Sequence, residues 1–236
     1  MNIKDPLIII GNGPSFKDVD LELIRGRDTY GLNGAYKIYP ELNWYPKYWS
    51  SFDDQWIRSG NRHKDINKMI HDRTCLIEHF ILLGQIHPWN YRYSEKLLLT
   101  NESGHIFKTP YRHEYTPSLF SATRIGICLG YTKIIYLGVD CSYGDKNTFQ
   151  YFDNRVTEPT DPVESYPKEV LISNYNHSHI TNVNSWSEYL SACNSIHEDS
   201  FKAMLLTYPD IEFVNCSGPK SNVKAIRIAN LKEELT

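Results

Sequence analysis

Leu7-Ile8-Ile9-Ile10-Gly11-Asn12-Gly13-Pro14-Ser15-Phe16 is the stretch whose reading decides the fold. Four consecutive apolar residues, three of them β-branched, predict a short strand buried on both faces. The strand stops at a glycine pair, where a backbone without Cβ can turn tightly and admit a ligand closely. Pro14 and Ser15 suit the first turn of a helix, whose free N–H groups and positive dipole end attract anions. This is the order in which α/β proteins seat a phosphate, and equally that of a plain strand-to-helix turn. Phe16 replaces the third glycine of G-x-G-x-x-G, and no Gly-Lys-Ser/Thr follows, so neither the dinucleotide fingerprint nor a Walker loop is present.

The rest of the chain extends the pattern. Strands are predicted over Asp28–Gly34, Lys47–Phe52, Thr74–Phe80, Lys133–Asp140 and Asp210–Asn215. Helices are expected over Asp18–Ile24, Gln55–His71, Ser118–Leu129, Ser185–Leu206 and Ser221–Leu231, with Gly130 closing the third. Alternation of this kind gives a mostly parallel, doubly wound α/β sheet. Leu83–Arg112 has poor periodicity and reads as irregular structure, while about 141–180 is a long polar stretch expected to act as a lid.

Length and composition narrow the function. The 236 residues suit one α/β domain spanning 1–236, and 41% apolar content is that of a globular chain. A formal charge of −3 argues against a general nucleic-acid binder. No apolar run approaches the roughly 18 residues of a membrane span, and the polar Asn2 and acidic Asp5 are unlike a signal peptide, so a cytoplasmic location is expected. Five widely spaced cysteines without C-x-x-C suggest neither disulfides nor zinc, and Cys75, Cys128 and Cys216 read as core thiols. Seventeen tyrosines and five tryptophans suit a site that packs sugars or bases against rings.

In an open α/β sheet, ligands bind at the carboxyl ends of the strands. Asn12, Asn33, Asp53, Gly138, Asp140 and the helix-opening Ser118 converge on that edge. Each has a second reading: Asn33 as a turn residue, Asp53 or Asp54 as a helix cap, Ser118 as a cap. His177-Ser178-His179 alternates as metal ligands on a strand would, with no third ligand evident, and His197 lies beside an apolar helix stripe as a core histidine would.

Gly11-Asn12-Gly13-Pro14-Ser15, Asn33, Ser118 and the run Leu129-Gly130-Tyr131-Thr132-Lys133-Ile134-Ile135-Tyr136-Leu137-Gly138-Val139-Asp140 resemble glycosyltransferase family 42, the bacterial sialyltransferases. Phe201–Met204 and Ile211–Cys216 match in order and spacing, so the likeness covers about two-thirds of the chain. It extends to uncharacterised relatives and to hydroxymethylpterin diphosphokinases. The resemblance implies a Rossmann-like sheet of GT-A-like type with a lid-type insertion. It also implies inverting, metal-independent transfer of an acidic sugar, sialic acid- or Kdo-like, from a CMP-activated donor to a glycan hydroxyl, as in polysaccharide biosynthesis. No cofactor is implied. Gly11, Asn12, Gly13, Pro14, Ser15, Asn33, Asp53, Ser118, Gly138 and Asp140 would line the donor site. His197, or else His177 or His179, would be the general base, and Tyr143 and Tyr151 would steady the leaving phosphate. Asp53 stands where the family has asparagine and Tyr115 where it has arginine. Family likeness further implies a homo-oligomer and leaves room for contact with a membrane surface. The alternatives are a Mg-dependent pterin diphosphokinase, with Asp53 and Asp140 around the metal, and a nucleotide-binding relative without catalysis.

Overall fold

A computed structural model describes residues 5–52, 62–83, 94–100, 105–106, 109–110, 117–141 and 184–236. Ten strands are described: β1 (Leu7–Ile10), β2 (Thr29–Leu32), β3 (Tyr48–Ser51), β4 (His79–Leu83), β5 (Leu97–Thr100), β6 (His105–Ile106), β7 (Thr109–Pro110), β8 (Lys133–Leu137), β9 (Glu212–Asn215) and β10 (Arg227–Ile228). Eight form one sheet in the order β10-β9-β8-β1-β2-β3-β4-β5, with every neighbouring pair parallel. β6 and β7 make a separate antiparallel pair. The described α-helices are α1 (Arg62–His71), α2 (Ser118–Cys128), α3 (Trp186–Thr207) and α4 (Leu231–Glu234). The expected doubly wound parallel sheet is the fold observed.

β1 lies at the centre because it can: all four residues are fully buried, which suits a strand covered on both faces. Ile8 pairs with Thr29 on one side and Ile135 on the other. α2 lies close over β1, for a Cβ on Gly126 would come 2.5 Å from Leu7 Cδ2. The helix closes at Gly130, whose φ of 89° suits a residue without Cβ. α3 starts at Ser185, whose hydroxyl accepts from the Glu188 N–H. Its Phe201 is fully buried, edge-on to Phe120 of α2 (4.9 Å) and Tyr136 of β8 (5.1 Å).

Several elements depart from expectation. The fourth strand begins at His79, because Asp72 accepts from the Thr74 N–H and hydroxyl and holds Thr74 in a turn, and Leu76 is exposed. β5 lies within the stretch read as irregular; its three leucines offered neither alternation nor β-branching. Ser221–Leu231 is not a helix: Ser221 Oγ donates to the Val139 carbonyl, and β10 then extends the sheet. Asp18–Ile24 is replaced by 3-10 turns at Pro14–Asp18 and Leu21–Leu23. Only Arg62–His71 of the Gln55–His71 helix is described. Cys75 is buried as expected, Cys216 is partly buried against the core, and Cys128 is partly buried.

Candidate active site

From β1 the chain winds through β2 to β5 on one side, then returns to the other side as β8. Such a reversal opens a crevice at the carboxyl edge, between β1 and β8. The ladder between these strands continues past their ends. Gly11 N–H donates to the Leu137 carbonyl and Gly13 N–H to the Gly138 carbonyl, both at 2.8 Å. A Cβ on Gly11 would sit 2.5 Å from the Gly138 oxygen; one on Gly13 would sit 2.2 Å from Asp140 Oδ2. Gly13 has an ordinary extended backbone, φ −72° and ψ 159°. Both glycines therefore serve the close approach of the two strand ends, where ligand access was expected. Gly138 needs its freedom for conformation as well, at φ 63°.

Asp140 completes the junction. Its Oδ2 accepts from the Ser15 N–H (3.1 Å) and the Ser15 hydroxyl (2.8 Å). The anion seated on this turn is thus the chain's own carboxylate. Pro14 and Ser15 open a five-residue 3-10 turn in place of the expected α-helix, so the summed dipole of a long helix is missing. Burial raises the Asp140 carboxyl above the usual carboxylate range, and the two Ser15 bonds oppose that rise. Oδ2, accepting twice from Ser15, is thereby committed within the chain.

The backbone around Asp140 is held by β9 and the loop after it, residues that sequence reasoning passed over. Val139 N–H donates to Ser217 Oγ (2.8 Å) and Asn222 N–H to the Asp140 carbonyl (2.8 Å). Asn222 Nδ2 donates to the Cys141 carbonyl (3.1 Å) and Asn215 Nδ2 to Ser221 Oγ (2.9 Å). Cys141 takes φ 49°, unusual for a residue with Cβ. The signal available in the sequence was the polar run Asn215, Ser217, Ser221, Asn222 directly after an apolar strand.

Three strand ends supply polar atoms without partners. Asn12 Oδ1, Asn33 Oδ1, Ser50 Oγ and Ser51 Oγ are buried and make no hydrogen bond among the described residues. Asn33 follows β2 with φ 47°, and its carbonyl accepts from Trp49 Nε1 (3.1 Å). Ser50 and Ser51, both fully buried at the end of β3, were not singled out from the sequence, where they looked like ordinary strand residues. Orphaned buried polar atoms cost free energy unless something binds them, so this edge suits a ligand rich in hydrogen-bonding groups.

Two further expected site residues, Ser118 and His197, lie on α2 and α3. The N-cap of α2 is Pro117, so Ser118 is the first helical residue and not the cap. His197, half-buried on α3, lies one turn before Phe201, with its ring 5.9 Å from that of Phe120. Its Nδ1 is 2.8 Å from the Cys193 carbonyl, which makes Nδ1 the protonated nitrogen and leaves the basic lone pair on Nε2. Burial lowers its pKa below the ordinary 6.5, so the neutral form dominates at pH 7. Asp53, Tyr143, Tyr151, His177, His179 and most of the 141–180 stretch lie outside the described residues.

The sequence matches no known protein-family profile and no curated protein. Solved structures do share its architecture. The sialyltransferase CstII from Campylobacter jejuni, in complex with the substrate analogue CMP-3FNeuAc, superposes over 96% of this chain and 87% of its own. Its TM-score is 0.54 at 17% identity. CST-II bound to a trisaccharide acceptor and CMP gives 0.55 at 15% identity, over 96% and 87% of the two chains. The chain shares its fold with these structures. The MAf glycosyltransferase from Magnetospirillum magneticum AMB-1 aligns with 98% of this chain at a TM-score of 0.59 and 12% identity. This chain spans about a third of that protein, 34% of its length.

Proposed function

We propose that this protein is a glycosyltransferase that uses a CMP-activated acidic sugar and a glycan hydroxyl as acceptor. The observation that carries the reading is the carboxyl edge of β1 and β2, where Asn12 and Asn33 present buried amide oxygens that lack donors among the described residues. A nucleotide brings such donors: ribose hydroxyls and the exocyclic amine of cytosine. In CstII, which has the same fold, solved complexes contain CMP and a CMP-sugar analogue.

His197 is the base. With Nδ1–H held by Cys193, its Nε2 takes the proton of the acceptor hydroxyl as that oxygen attacks the anomeric carbon. The glycosidic bond to the phosphate breaks from the opposite face, which inverts the configuration, and the phosphate leaves with CMP. Tyr143 and Tyr151 donate hydrogen bonds to the departing phosphate. Ser118, at the open first turn of α2, adds its hydroxyl on the sugar side. Among the described residues no helix is long and apolar enough to cross a membrane.

The test is a thermal-shift panel of CMP, CDP, UDP, GDP and ATP, each with and without Mg²⁺. CMP is expected to give the largest stabilisation, independent of the metal. Selective stabilisation by ATP with Mg²⁺ would replace this reading by a kinase-type one. The reaction itself is checked by release of CMP from CMP-linked acidic sugars in the presence of glycan acceptors.

A further inference from the structure

We propose that Asp140 is a positioning residue, a carboxylate that clamps the Gly11–Ser15 turn to β8 and so holds Asn12 in its ligand-binding pose. The role rests on the nucleotide reading given above, but the clamp itself is a matter of geometry.

Four hydrogen bonds tie the turn to the far strand. Gly11 and Gly13 donate their N–H groups to Leu137 and Gly138, on either side of Asn12. Ser15 donates twice to Asp140 Oδ2. Asn12 is thus the middle residue of a segment pinned on both flanks, and its Oδ1 stays buried without a partner among the described residues. The first pair of bonds is ordinary strand extension. The second pair ends on an ionisable group, and charge-assisted bonds of this kind are about twice as strong as neutral ones.

Asp140 is itself fixed before it fixes anything else. Asn222 donates to its carbonyl, and Ser217 and Ser221 hold both backbone groups of Val139. Only 5% of Asp140 is exposed, and Gly13 is packed so close that no Cβ would fit between them. A carboxylate buried in this way, with one oxygen committed to two donors of the opposite turn, acts on the ligand through Asn12.

The experiment combines CMP titration by calorimetry with amide hydrogen exchange on the full chain. Asp140→Ala is expected to weaken CMP binding by about tenfold or more, the scale of one charge-assisted bond. It should also speed exchange at Ser15 and Gly13 by a similar factor while leaving Leu7–Ile10 protected. D140N keeps an acceptor oxygen and should stay within a few-fold of the parent protein; S15A, which keeps the N–H, should fall between. In an Asn12→Ala background, D140A should cost no further affinity, because the carboxylate works through that side chain. Unchanged CMP affinity in D140A, or losses that simply add in N12A/D140A, would overturn the proposal. Should D140A fail to fold, S15A with parental affinity and parental exchange at Gly13 would overturn it equally. If the parent chain binds no CMP, it is the nucleotide reading that fails. The clamp then stands or falls on exchange alone, and unchanged Ser15 and Gly13 protection in D140A would remove it.

Discussion

The two ends of the sheet both carry buried polar residues and differ in how completely those residues satisfy one another. At the amino edge, Tyr131 donates to Asp28 Oδ2, Tyr48 and Tyr131 share a 3.2 Å hydrogen bond, and Lys47 pairs with Asp28 at 2.7 Å. Thr29 accepts from the Lys47 N–H, while His79 Nδ1 lacks a partner among the described residues. At the carboxyl edge, Asn12, Asn33, Ser50 and Ser51 keep buried oxygens without partners among the described residues. A closed network lowers the energy of the fold by itself. An open one leaves a deficit that a ligand can make good, so the two edges divide stability from binding.

The largest expected break in this contrast is chemical. His197→Ala should lower transfer by about a hundredfold or more while CMP binding persists. Because burial lowers the His197 pKa, the acid limb of kcat/KM should fall below pH 6.5. A limb at or above that value moves the base to another histidine.

Next comes Gly13→Ala, whose Cβ would press on Asp140 Oδ2 and the Gly138 carbonyl. It should cost roughly 1–3 kcal/mol in denaturant unfolding, typical of overpacking, and weaken CMP as well. Asn33→Gly keeps the positive φ but removes the orphaned oxygen. Calorimetry should show about a tenfold weaker Kd for CMP, with the melting temperature unchanged or slightly higher.

The amino edge should give the opposite result. Tyr131→Phe removes one donor to a carboxylate and should cost about 1–2 kcal/mol of stability without moving CMP affinity. If it weakens CMP too, the division between edges is wrong.

The smallest effect lies on the surface at the amino ends of β8 and β10. Arg227 and Lys133 hold the Glu234 carboxyl at about 2, below its ordinary 4.5. That depressed value makes the pair stabilising above pH 4.5, with the benefit lost as pH falls towards 2. Surface pairs of this kind are worth at most about 1 kcal/mol. E234Q should therefore melt slightly lower at pH 7, and the gap should close in acid.

How much of this was legible in the sequence depends on the range of the interaction. Leu7–Ile10 and Lys133–Leu137 were readable because continuous β-branched runs can bury both faces only in a central parallel strand. α2 was readable from its apolar spacing and closing glycine. β5 was not, since Leu97–Thr100 carries no period, and β10 owes its strand to pairing with β9. Among site residues, Asn12 and Asn33 were found because glycine turns mark strand ends. Ser50, Ser51 and Ser217 were hidden, because a serine reveals its role only through what does or does not stand beside it.

The sequence alone therefore determined the class of fold and the edge proposed to bind a ligand, both of which follow from local pattern and strand direction. Tertiary structure decided what Gly11, Gly13, Ser15 and Asp140 do. Read in the chain, Gly-Asn-Gly-Pro-Ser was equally a plain turn and a phosphate cradle. Folded, it is a turn already occupied by a carboxylate 125 residues away. No local rule carries that, because a hydrogen bond between distant segments exists only once the sheet has brought β1 and β8 side by side.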